Sequence, residues 1–77
     1  MLIGGKNMAY DIANGIKNAR KKIGFTQQEL ADALGITRAT LSSYENGKTE
    51  PDFIFVIKFA LLTKKYTPDD IIRNEIY

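Results

Sequence analysis

A chain of 77 residues with 44% hydrophobic content and a formal net charge of +2 reads as one small folded domain. Its core is marginal unless its elements pack well or a second chain adds burial. With no cysteine and no histidine, the chain lacks disulfides and thiol chemistry, and metal binding and acid–base catalysis lose their commonest residue. No run of about 18 apolar residues is present, and the opening MLIGGKNMAY is too short and too polar for a secretory leader. The expectation is a cytoplasmic protein with no membrane contact, no metal, no cofactor and no enzymatic activity, since no clustered carboxylate pair replaces the missing histidines.

The total charge says less than its distribution. From Lys17 to Lys48 there are six cations (Lys17, Arg20, Lys21, Lys22, Arg38, Lys48) against three anions (Glu29, Asp32, Glu45). The remainder carries five cations against six anions. Positive charge is therefore gathered on one stretch, although on charge alone a mixed solvated surface explains it equally well.

Residues 1–7 hold two glycines and no periodicity, and read as a flexible arm before a single domain over 8–77. From Met8 to Ile23 apolar residues recur at Ile12, Ile16, Ala19 and Ile23, one face of a helix that Gly24 ends. Gly15 inside it carries a mild cost, about 1 kcal/mol against alanine. Thr26 with Glu29 forms a capping box, and Phe25 with Leu30 a hydrophobic staple, so a second helix spans Gln27 to Leu34. Gly35 supplies the sharp turn. Ile36 and Leu41 repeat the staple around Thr37, which caps a third helix from about Arg38 to Asn46 before the turn NGK.

Pro51 and Asp52 open a fourth helix, to Thr63, that is apolar on every side. Phe53, Val56, Ile57 and Ala60 are expected to serve the core. Thr67 caps a short fifth helix with Pro68 first and Asp69 and Asp70 in its first turn; Ile71, Ile72 and Ile76 are expected to point inward. Five helices and no strand predict an all-α fold.

The second and third helices are each too short to stand alone, so their spacing has another cause. Ala31 permits a close crossing, Gly35 makes the turn, and Leu30, Leu34, Ile36, Leu41 and Tyr44 face inward. That predicts a rigid helix-turn-helix over about 27–46. The outward side of the third helix carries Arg38, Ala39, Ser42, Ser43 and Asn46 at steps of three and four. An ordinary solvated side would favour Glu and Lys there. Short polar side chains with one arginine suit the major groove of double-stranded DNA.

The segment TQQELADALGITRATLSSYENGK, with Gln27, Glu29, Leu30, Ala31, Gly35, Ile36, Leu41, Tyr44, Glu45 and Gly47, resembles the phage-repressor-like helix-turn-helix regulators of the Cro/lambda-repressor or XRE type. Pro51 and Ala60 extend the likeness, which runs from about Ile12 to Ile72. It implies a compact five-helix, lambda-repressor-like domain and a sequence-specific regulator, acting as a repressor and a homodimer on a two-fold operator. It further implies that Arg38, Ala39, Ser42 and Ser43 read bases, that Gln27, Thr37, Asn46 and Lys48 hold phosphates, and that Arg20 and Glu45 form an interior ion pair. Lys21 and Lys22 are read as solvated, and Lys6 as the arm's lone cation. No small-molecule effector is implied.

Two departures stand out. The family often closes its fourth helix with a Leu-Gly-Val-like ending, where this chain has the longer LLTKKYTPDDII. The fourth helix also leaves Ile54, Phe55, Leu61 and Leu62 beyond what a core needs; with Ile76 and Tyr77 they are expected to form a face for a second copy. Coverage of this face by the arm or tail is the alternative. The competing function is an antitoxin-like interaction module whose fourth and fifth helices bind a different chain.

Overall fold

The computed structural model describes residues 10–77, so the proposed arm over 1–7 lies outside the described residues. Five helices follow one another: α1 Ile12–Ile23, α2 Gln27–Leu34, α3 Arg38–Glu45, α4 Phe53–Thr63 and α5 Pro68–Ile72. No strand occurs among the described residues.

Local chemistry sets most of the boundaries. Thr26 accepts from the Glu29 amide while the Glu29 carboxylate accepts from the Thr26 amide, closing a reciprocal box. Thr67 and Asp70 do the same for α5. Asp52 is the N-cap of α4, not its first residue: its carboxylate accepts from the Phe55 amide at 2.8 Å. Asn46 likewise caps the C-terminus of α3 from outside the helix.

The start of α1 differs from the expectation of a helix from Met8. Met8 and Ala9 lie outside the described residues, and Tyr10 and Asp11 are not helical. The Asp11 amide donates to the Ile72 carbonyl at 2.8 Å, and its carboxylate accepts from the side chains of Asn14 and Asn74. This backbone tie to the last residue of α5 accompanies the non-helical conformation of Asp11.

The core is built from every helix: Ile16 and Ala19 of α1, Leu30 and Ala31 of α2, Leu41 of α3, Phe59 of α4 and Ile71 of α5 are fully buried. Burying a side chain of Leu, Ile or Phe contributes about 1.5–3 kcal/mol each, so these few residues carry much of the stability. Phe55 continues the core towards α3, its ring edge-on to Tyr44 with centroids 4.9 Å apart. Gly15 is not a mildly unfavourable helix residue but a contact point. A Cβ there would stand 1.8 Å from the Ile71 carbonyl oxygen, so its missing side chain lets α5 lie directly on α1.

The expected phase of α4 was partly wrong. The buried side is Phe55, Val56, Phe59 and Ala60, while Phe53 is 68% exposed. Phe55 belongs to the core and not to a partner face, and Leu62 and Ile76 pack partly buried against that core. A helix apolar on all sides carries no phase in its own sequence, so the neighbours decide which side turns inward. Tyr77 keeps an exposed ring but folds back: its hydroxyl donates to the Lys65 carbonyl, and its own carbonyl accepts from the buried Tyr66 hydroxyl at 2.6 Å. The longer ending LLTKKYT closes on Thr63, whose hydroxyl donates to Ala60 and accepts from the amides of Lys65 and Tyr66. Lys64 ends α4 in the left-handed region, φ 55°.

Candidate nucleic-acid interface

The helix pair α2–α3 is fixed at its turn and at its far end. At the turn, Gly35 takes φ 72°, a conformation costly for other residues. Its amide donates to Asp32, and the Ile36 amide reaches back to Ala31 at 3.0 Å. These bonds occupy carbonyls that the end of α2 would otherwise leave open. At the far end, Arg20 grips Glu45 with two bonds, Nε to Oε2 at 2.7 Å and Nη2 to Oε1 at 3.0 Å. The other guanidinium nitrogen donates to the Phe25 carbonyl at 2.9 Å, and Gln27 Nε2 donates to Glu45 Oε1 at 3.0 Å. Arg20 and Glu45 are both buried. One carboxylate thus joins α1, the start of α2 and the end of α3. No buried side-chain nitrogen or oxygen among the described residues lacks a hydrogen-bond partner, which is the condition under which a buried ion pair specifies geometry without leaving an uncompensated charge.

The outward side of α3 and its C-cap leave Arg38, Ala39 and Asn46 exposed, with Ser42 and Ser43 half-buried between them. Asn46 donates its side-chain amide to the Ser42 hydroxyl at 3.3 Å. Thr37 accepts from the Thr40 amide, and its hydroxyl lies 2.9 Å from the Thr40 hydroxyl. The Thr37 hydroxyl is therefore engaged within the first turn. Lys48 is exposed on the following turn, and its amide and that of Thr49 both point to the Ser43 carbonyl. The structure thus brings Arg38, Ala39, Ser42, Ser43, Asn46 and Lys48 onto α3 and the turn after it, and gives Gln27 and Thr37 internal partners at the starts of α2 and α3.

A cleft of about 470 Å³ runs beside this side of α3, lined by Ala39, Thr40, Ser43, Tyr44, Thr49 and Glu50. Thr49 and Glu50 were not singled out by the sequence, because they come from an irregular turn with no periodicity to announce them. Lys21 and Lys22 line a separate cleft with Asn18, Asn74 and Ile76, to which α3 contributes nothing. Among the described residues no helix is long and apolar enough to cross a membrane, and no cluster of metal-ligating side chains occurs.

Comparison with known proteins agrees with this geometry. The helix-turn-helix family model matches residues 16–71. An uncharacterized HTH-type transcriptional regulator of Methanothermobacter thermautotrophicus is 36% identical over 61 residues, which are 78% of this chain and 88% of that protein. Antitoxin HipB of Escherichia coli K12 is 49% identical over 35 residues, 46% of this chain and 40% of HipB. The solution structure of the DNA-binding domain of the P22 C2 repressor superposes with a TM-score of 0.75 over 97% of this chain and 92% of that one, at 20% identity, so the two share a fold. The chain belongs to the helix-turn-helix family of transcriptional regulators, of the phage-repressor-like Cro/lambda-repressor or XRE type.

Proposed function

We propose that this chain is a sequence-specific repressor that binds a two-fold operator as a dimer, with α3 in the major groove. The observation that carries this reading is the side of α3 with Arg38, Ala39, Ser42 and Ser43, held rigid from behind by the Arg20–Glu45–Gln27 bonds. Arg38 offers the planar fork that pairs with guanine O6 and N7, Ala39 fits a thymine methyl, and the serine hydroxyls suit either base edges or phosphate. Asn46 and Lys48 hold the phosphate backbone and set the register of α3 in the groove. Gln27 keeps a second side-chain N–H for a phosphate while the first stays on Glu45. Thr37 joins them through its position at the start of α3. Two copies of α3 about 34 Å apart would read half-sites one helical turn apart.

The test is selection from a random duplex pool at near-physiological salt, followed by sequencing. An enriched inverted repeat with half-sites one turn apart is the expected outcome. A folded protein that enriches nothing would overturn the reading. The likeness to antitoxin HipB supports a second reading, in which α4 and α5 bind a different chain and DNA binding is secondary. Under that reading the selection yields no repeat until the partner is added.

A further inference from the structure

We propose that the outward side of α4 is self-complementary, and that two copies of this chain pack α4 against α4, antiparallel, about a two-fold axis beside Lys58. The proposal rests on the two-fold reading above and names the contact that makes the pair.

Phe53, Ile54 and Leu61 are 68%, 59% and 71% exposed, three of the five large apolar side chains left open to solvent among the described residues. They share one side of α4, with the half-buried Ile57 between them. Beside them, between α4 and the end of α2 with the turn that follows it, lie two shallow grooves. The first, about 200 Å³, includes Leu34, Ile36 and Ile54 and reaches Asp52 at the N-terminal end of α4. The second, about 460 Å³, includes Ala33, Leu61 and Leu62 and reaches Lys64 at the C-terminal end. Leu34 and Lys58 border both.

A two-fold contact requires that each residue meet its counterpart reciprocally. Turning one α4 end over end satisfies this. Leu61 of one copy enters the first groove beside Ile54 of the other, and Ile54 of the first enters the second groove beside Leu61. The same reversal brings each Asp52 to the other copy's Lys64 and opposes the two helix dipoles. Among the described residues, neither Asp52 nor Lys64 has an ion-pair partner in its own chain. A parallel pairing would set like charges together, and a uniformly acidic partner would leave Asp52 opposed. Only Lys58 works against the arrangement, because near the axis it meets its own copy, and its long stem must carry the ammonium group out to water. One helix side is smaller than the roughly 800 Å² per partner of a standard interface. The pair is therefore weak in free solution and completed on DNA.

Sedimentation equilibrium on the whole chain tests the register. Ile54→Lys and Leu61→Glu each place a charge against an apolar side chain at both ends of the pair. Each variant alone should weaken self-association at least about tenfold, near 1.4 kcal/mol. Mixed in equal amounts they should associate again, because one end then joins Lys to Glu and the other restores Leu61 to Ile54. Lys58→Gln should tighten the pair, whereas it would weaken docking of an acidic partner. Both apolar positions are exposed, so circular dichroism should show unchanged folding. A wild-type chain that stays monomeric at high micromolar concentration overturns the proposal, as does a mixture that fails to reassociate or a Lys58→Gln variant that associates less. Binding of the same variants to a duplex carrying one half-site, below the concentration of self-association, reads DNA recognition separately. Its loss in the wild type would sink the operator reading and leave the sedimentation result standing.

Discussion

Gly15 shows how a residue can mean the opposite of what its local propensity suggests. In an isolated helix, alanine there would gain about 1 kcal/mol. In the folded chain the new methyl would meet the Ile71 carbonyl oxygen at 1.8 Å, and that atom belongs to backbone that cannot rotate away. Relief requires α5 to lift from α1, disturbing the fully buried Ile71. Overpacking of this kind costs about 1–3 kcal/mol and occasionally more, which exceeds the propensity gain. Gly15→Ala should therefore destabilise the chain by about 2 kcal/mol in urea denaturation. Equal or greater stability would show that α5 is loosely held. Nothing in the residue's neighbours along the chain announces this contact, because Ile71 lies 56 positions away. Lys64 poses a similar problem: it ends α4 in a left-handed conformation that ordinarily favours glycine, and a lysine there gives no sign of it.

At the scale of elements, what was legible was whatever depends on nearest neighbours. Thr26 with Glu29, Gly35, and Thr37 ahead of its staple placed α2, the turn and α3 within a residue, because capping and left-handed turns are settled within four positions. The side that α4 turns inward was not legible, since its apolar residues run all round and the phase is set by docking on other elements, such as Phe55 on Tyr44 of α3. The outward stripe of α3 was readable because its polar residues recur with helical period. The bond from Gln27 to Glu45 was not, since it joins residues 18 apart through space. That bond gives Glu45 three helices to hold. Glu45→Gln would keep the shape of the side chain but remove the charge and one acceptor, leaving the buried Arg20 uncompensated. Breaking one partner of a buried pair costs about 3–5 kcal/mol, a large part of the 5–15 kcal/mol available to a small domain. Thermal unfolding of Glu45→Gln should show a loss of this order. A loss below about 1 kcal/mol would mean that water reaches the pair and that it acts as a surface ion pair.

For the whole molecule, a net charge of only +2 means that attraction to DNA must come from placement and not from total charge. Arg38 and Lys48, both exposed, lie on α3 and the turn after it, and their proposed roles predict different salt behaviour. A phosphate contact releases condensed counterions, so each one contributes about −0.9 to the slope of log affinity against log salt. Lys48→Ala should weaken cognate and random duplexes alike. If two copies occupy one operator, it should also flatten the slope by about 1.8, twice the single-contact value. Arg38→Ala should instead cost about 1–3 kcal/mol on the cognate duplex and relax the preference at one base pair in each half-site, with less loss on random DNA. A salt titration of both variants on cognate and random duplexes therefore separates backbone grip from base reading. A change near 0.9 for Lys48→Ala would mean one copy per site, and no change would remove Lys48 from the phosphate contacts. Equal losses for Arg38→Ala on both duplexes would make Arg38 a general anchor, and the reading of bases would then fall to Ala39, Ser42 and Ser43.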